Sequence, residues 1–140
     1  MIIHVDLFVR SMEIMLDFYV GKLGMRIVDD NIITGDLVRF VSDNRYDTYR
    51  VVLLKPSVIG TMLELIEYIG DRKLVKTENG ATITLLVSSL ENEIKRLRKE
   101  GVQQLSDVFS VSFPVVGDSY LVFYEDPEKN KVELLQMKDI

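Results

Sequence analysis

One histidine and a few carboxylates are the residues of this chain best suited to chemistry. The histidine is His4, in the run Ile3-His4-Val5-Asp6-Leu7-Phe8-Val9. The 140 residues contain no cysteine, which excludes disulfides, thiolate metal sites and cysteine nucleophiles. An imidazole grouped with two carboxylates, with positions left open for water or substrate, suits Mn, Fe, Co, Ni or Zn. Without an ion, the same groups would be confined to acid–base work.

Strand alternation says which of these groups can meet. In residues 2–9, Ile3, Val5, Leu7 and Val9 face one side, and His4, Asp6 and Phe8 face the other. In 62–68, Leu63 and Leu65 fall under a helix while Glu64, Ile66 and Tyr68 face away from it. In 131–137 the same rule separates Val132 and Leu134 from Glu133, Leu135 and Met137. The strand over 81–87 adds Thr82, Thr84 and Leu86. The expectation is a common trough that receives His4, Glu64 and Glu133, with Asp6 close by. Carboxylates crowded in this way repel one another, and burial disfavours their charged forms. A divalent cation, an arginine or protonation would relieve the crowding; Arg39 and Arg50 are the candidate cations.

The elements that would hold these groups occur twice. Ser11 opens a helix with Met12, Met15, Leu16, Tyr19 and Leu23 on one stripe, and Gly24 closes it. Strands are expected near 25–30, 36–42, 49–55 and 62–68, then a polar connector over 70–80. The order then repeats: a strand over 81–87, a helix opened by Ser88 or Ser89 with Leu90, Ile94 and Leu97 inward, and Gly101 as its end. Strands near 102–106, 119–125 and 131–137 complete the chain, with Asp126-Pro127-Glu128-Lys129-Asn130 as a tight turn. The class is therefore α+β, built as tandem βαβββ modules over 1–69 and 81–140 that form an open, curled mixed sheet. Loops 43–48 and 105–118 would shape specificity, with Ser110-Val111-Ser112-Phe113-Pro114 as a lid.

Bulk properties narrow the function. The length suits a single domain over 1–140. A net charge of −5 opposes binding to a phosphate backbone. The most basic run, Lys95-Arg96-Leu97-Arg98-Lys99, reads as a solvated helix face. No apolar stretch approaches about 18 residues, and the first residues lack a leader pattern. The expectation is a cytoplasmic protein that binds a small molecule, with neither nucleic acid nor membrane as partner.

Two segments resemble a known family. They are the opening, His4 to Val9 followed by Phe18-Tyr19 and Leu23-Gly24-Met25, and the final hairpin, Asp126-Pro127-x-x-Asn130-x-x-Glu133-Leu134. Together they resemble the vicinal oxygen chelate superfamily, which includes glyoxalase I, methylmalonyl-CoA epimerase, extradiol dioxygenases, fosfomycin-modifying enzymes and bleomycin-resistance proteins. The resemblance implies a glyoxalase/bleomycin resistance-like fold, a homodimer, and metal ligands on the first and last strands of each module. Carried over, these are His4, Glu64 and Glu133, with Glu64 or Glu133 doubling as a catalytic base. The fourth position falls on Thr82, where many metal-binding members have histidine. Dioxygenase and fosfomycin-type sites usually use two histidines, which one chain here cannot supply. Two readings stay open. One is a divalent-metal-dependent lyase or isomerase acting by proton transfer on a small oxygen-rich molecule. The other is a metal-free, drug-sequestering protein of the bleomycin-resistance kind. Its trough would be lined by Phe8, Ile66, Tyr68, Leu86, Leu135 and Met137, with Asp6, Thr82 and Thr84 also facing the ligand.

Overall fold

A computed structural model describes residues 4–56, 60–70, 82–113 and 117–138. The chain divides into two compact units, Met1–Thr77 and Glu78–Ile140. The first contains β1 (His4–Phe8), α1 (Met12–Leu16) continued by a π-helical turn over Asp17–Lys22, β2 (Arg26–Thr34), α2 (Asp36–Val41), β3 (Thr48–Lys55) and β4 (Met62–Tyr68). The second contains β5 (Thr82–Leu86), α3 (Leu90–Lys99), β6 (Phe109–Phe113), β7 (Gly117–Glu125) and β8 (Lys131–Met137).

Each unit builds its own four-stranded sheet on one plan. The orders are β1-β4-β3-β2 and β5-β8-β7-β6. In each, the first strand lies parallel to the last, and the remaining pairs are antiparallel. This overturns the expected single curled sheet. The strands form two separate open ladders, neither strongly curled, each with two edge strands. The mixed βαβ pattern of each half stands.

One face of each sheet is sealed by a helix. In the first unit, Met12, Met15 and Tyr19 are fully buried, and Leu7, Val9, Val52, Leu54, Leu63 and Leu65 form the buried strand face. In the second, Leu90 and Leu97 are buried, as are Val122, Tyr124, Val132 and Leu134. The alternation read from the sequence therefore selects the core correctly at Leu7, Val9, Leu63, Leu65, Val132 and Leu134, whereas Val5, on the same side of β1, is exposed. The two helix starts are secured alike by the last strand of their unit. Glu67 Oε2 accepts the Met12 N–H at 2.6 Å, and Gln136 Oε1 accepts the Leu90 N–H at 2.7 Å. Ser89 also caps α3 by accepting from the Asn92 N–H at 3.2 Å, whereas Ser11 makes no side-chain cap bond. Gly24 and Gly101 end the helical stretches at φ of 81° and 76°, where a side chain would be strained.

Several expected elements differ. Residues 36–41 are helix α2, not a strand. Their run of Val, Phe and Val favours a strand locally, but Arg39 N–H donates to Gly35 O, Ser42 N–H donates to Val38 O, and Asp36 pairs with Arg39 at 2.6 Å. The segment near 102–106 joins no ladder, because Val102 N–H turns back to Leu97 O and Leu105 N–H makes a single bond to Phe123 O. The third strand of that unit is instead β6. The expected lid accordingly becomes an edge strand, with Phe109 opposite Leu121 and Val111 opposite Ser119. Pro114 of that lid, Ile3, and residues 71–80 of the connector lie outside the described residues. The final turn is tight as expected: buried Asp126 accepts from the N–H groups of Glu128 and Asn130, both at 2.9 Å, and from Asn130 Nδ2 at 2.7 Å.

Glu67→Ala should cost about 1–2 kcal/mol in urea denaturation, since it leaves the first N–H of α1 without its acceptor. Glu67→Gln reproduces the arrangement of Gln136 and should cost less than half as much.

Candidate metal centre

The parallel pairing of β1 with β4 assembles a polar cluster on the sheet face away from α1. The register sets His4 beside Met62, Asp6 beside Glu64 and Phe8 beside Ile66. Residues two apart on a strand share a face, so His4, Asp6 and Glu64 converge. His4 Nδ1 lies 2.9 Å from Asp6 Oδ1 and 3.5 Å from Glu64 Oε2. Each of the three offers one ligand atom, and these atoms all lie within 4.8 Å of one another. The His4 and Asp6 side chains are 38% and 43% exposed, and Glu64 is 13% exposed, so the cluster is open on one side and sheltered on the other.

Its electrostatics favour a cation. Burial raises the Glu64 carboxyl above the ordinary range, the Asp6 carboxylate raises it further, and His4 partly opposes them. Tyr49, on the same face of β3, is also raised, by burial and then by the charges of Glu64 and Asp6. Its hydroxyl therefore stays protonated through neutral pH. The expected arginines do not relieve the cluster. Arg50 lies on the helix side of the sheet, bound to Asp30 at 2.8 Å and Glu13 at 2.5 Å. Arg39 is engaged with Asp36.

The donor set fits a divalent ion. At a metal–donor distance of about 2.1 Å, neighbouring ligand atoms stand roughly 3.0–3.4 Å apart in octahedral or tetrahedral geometry. With Nδ1 of His4 as the donor, its separations from Asp6 and Glu64, 2.9 and 3.5 Å, fall close to that range. Asp6 can act as a ligand, or as the acceptor that orients the imidazole and leaves Nε2 for the ion.

The other expected site residues divide between the units. Phe8, Ile66 and Tyr68 share the face of the triad. Ile66 is buried, packed with Val38, Tyr46, Tyr49 and Val51, and Tyr68 is partly buried against them. In the second unit, Glu133 is half-buried on β8, opposite Thr84 on β5 and Phe123 on β7. Thr82 faces Lys131 and Leu86 faces Leu135, while Met137 stands opposite Ser119. Thr82, Thr84 and Leu86 are all exposed. Sequence reasoning placed Asp6 near the ion without counting it among the ligands; the signal was its i+2 spacing from His4. It passed over Tyr46 and Tyr49, whose roles depend on α2.

Comparison with known proteins identifies the family. The family model for the Glyoxalase/Bleomycin resistance protein/Dioxygenase superfamily matches residues 1–134. The chain belongs to that superfamily. Among solved structures it is similar to a glyoxalase family protein from Bacillus cereus, at TM-score 0.76 and 13% identity, covering 96% of this chain and 92% of the other. It is also similar to the trypanothione-dependent glyoxalase I of Leishmania major, at TM-score 0.67 and 22% identity, covering 99% and 87%. A third similar structure is TnmS3, an antibiotic binding protein from Streptomyces sp. CB03234, at TM-score 0.66 and 19% identity, covering 99% and 96%. At these identities the likeness concerns the fold. A search among curated proteins found no match. No helix among the described residues is long and apolar enough to cross a membrane.

A carboxyl whose pKa is raised by folding destabilises the native state once it ionises. The penalty is absent below the unfolded value of 4.5 and complete above the raised folded value. Glu64→Gln should therefore raise the midpoint of the metal-free protein at pH 7–8 by on the order of 1–2 °C. Thermal melts across pH should show the gain disappearing below pH 4.5.

Proposed function

We propose that this protein is a divalent-metal-dependent lyase or isomerase that moves a proton on a small oxygen-rich molecule. The observation that carries the reading is the convergence of His4, Asp6 and Glu64 on one open sheet face. His4 and Glu64 would hold the ion, with Asp6 beside them. Bound there, a divalent ion such as Zn, Ni, Co, Mn or Fe would polarise a substrate oxygen and stabilise negative charge developing beside it.

The chain's own groups then divide the work. Glu64, the most sheltered of the three at 13% exposure, would double as the group that accepts the proton. Asp6, 2.9 Å from His4 Nδ1, would share the ion with that nitrogen. Tyr49, buried on the same face, keeps its hydroxyl protonated and adds no further negative charge beside the ion. The substrate is a small molecule, the location the cytoplasm, and the assembly a homodimer that covers sheet edges otherwise open to pairing. Nucleic acid has no place in this reading.

A second reading, metal-free sequestration of an apolar or aromatic molecule, draws support from the second module. Its first strand carries exposed Thr82 where the first module has His4, and Thr82 is a poor ligand for zinc-like ions. Exposed Leu86 with Leu135 and Met137 would then line a binding trough.

Ion uptake separates the two. Purified protein stripped with chelator and reloaded with Mn, Co, Ni or Zn should bind one ion per site by elemental analysis. His4→Ala should weaken that binding by more than about 100-fold, beyond the loss typical of an outer-sphere partner. Absence of uptake together with binding of a hydrophobic dye would favour sequestration.

A further inference from the structure

Aromatic rings border the triad. Phe8 lies two residues beyond Asp6 on β1 and shares its face. Its ring stacks on Tyr68 at 5.5 Å between centroids with planes 14° apart, and Tyr68 stacks on Tyr46 at 4.7 Å and 8°. Tyr49 leans on the same cluster, 6.1 Å from Tyr68. The far end of this stack is fixed: Tyr46 is buried, and α2 seats Val38 among Tyr46, Tyr49, Val51 and Ile66. The near end is not covered, because Phe8 remains 38% exposed.

A core would not leave its last ring open beside three polar, ionisable side chains. A binding surface gains from doing so. Tyr68 and Tyr46 hold Phe8 in place, so a second ring can stack on it at little cost in side-chain ordering. Two residues along a strand span about 7 Å, which sets the reach between a ring on Phe8 and oxygens at Asp6 and Glu64. On the opposite side of Glu64, β3 presents Leu53, a partly buried apolar neighbour. The floor therefore combines ion ligands, one free aromatic face and an apolar wall.

We infer that the substrate of this site carries a planar aromatic group that stacks on Phe8, joined by a short linker to the oxygens that reach His4, Asp6 and Glu64. The inference rests on the metal-dependent reading and adds the substrate class to it. The ring anchors; the oxygens near the triad react. The equivalent position in the second module is Leu86, so only the first module offers the platform.

Titration of the Mn2+-loaded protein with lactate, 3-cyclohexyllactate and 3-phenyllactate tests it by calorimetry. All three carry the same 2-hydroxycarboxylate group. The phenyl compound should bind roughly tenfold more tightly than lactate, with the cyclohexyl compound between them. Phe8→Ala should abolish most of the phenyl preference without changing Mn2+ affinity, and Phe8→Tyr should retain it. Equal Kd values for 3-phenyllactate and lactate in the wild-type protein would overturn the inference while leaving the metal reading intact. Failure to take up Mn2+ would overturn both.

Discussion

The parallel register between β1 and β4 is the constraint on which the site depends. β1 is an edge strand, five residues long, paired on one side only among the described strands. Shifting it by a single residue would turn His4 and Asp6 toward Met12 and Met15 and expose Leu7. Charged groups would then be buried under α1 without partners, at a cost of several kcal/mol. Leu7 and Val9, buried against α1, lock the register from one face, and the Val9 N–H bond to Ile66 O at 2.8 Å locks it from the end. The chemistry on one side of the strand is thus positioned by apolar packing on the other.

The second unit repeats this device with different side chains. Val87 N–H bonds Leu135 O at 2.9 Å, as Val9 bonds Ile66. Gln136 holds the start of α3 as Glu67 holds α1. The scaffold positions are alike because both halves must seat a helix on a four-stranded sheet. The open face is where they diverge: His4, Asp6 and Phe8 correspond to Thr82, Thr84 and Leu86. Glu64 and Glu133 are the pair kept in both. The first unit also inserts α2 between its second and third strands, and that helix backs the tyrosines beside the triad. Duplicated architecture has been loaded asymmetrically.

That division explains what the sequence made legible. Elements fixed by periodic burial were readable: β1, β4, β8 and α3 follow from Leu7, Leu63, Leu65, Val132, Leu134 and the Leu90–Leu97 stripe. The face shared by His4, Asp6 and Glu64 follows from the same parity. Helix α2 was not readable, because six residues with one buried side chain carry almost no period, and β-branched Val38 and Val41 favour the strand reading. Strand β6 was misread as a lid, because an edge strand needs only one neighbour and only part of a hydrophobic pattern. Whether the sheet curls was beyond reach too, since alternation reports which side faces inward and says nothing of how ladders join. Asp6 was placed beside the ion but not counted as a ligand, because the carry-over followed first and last strands one residue at a time. The i, i+2 spacing that joins it to His4 becomes decisive only once β4 brings Glu64 alongside.

The triad and its surroundings also show why such a face is kept open. Filling it with apolar side chains would remove the repulsion between Asp6 and Glu64 and extend the core around Ile66. The structure instead closes only the Tyr46–Tyr49 end with α2 and stops at Phe8. Shelter is sufficient to raise the Glu64 carboxyl above its ordinary range, yet exposure of His4 and Asp6 keeps the entrance polar. A fully buried cluster would be neutralised by protonation, and a fully exposed one would behave as ordinary surface charge. The half-covered face lies between those limits, and it is the edge position of β1, with nothing hydrogen-bonded to its outer side among the described strands, that permits it.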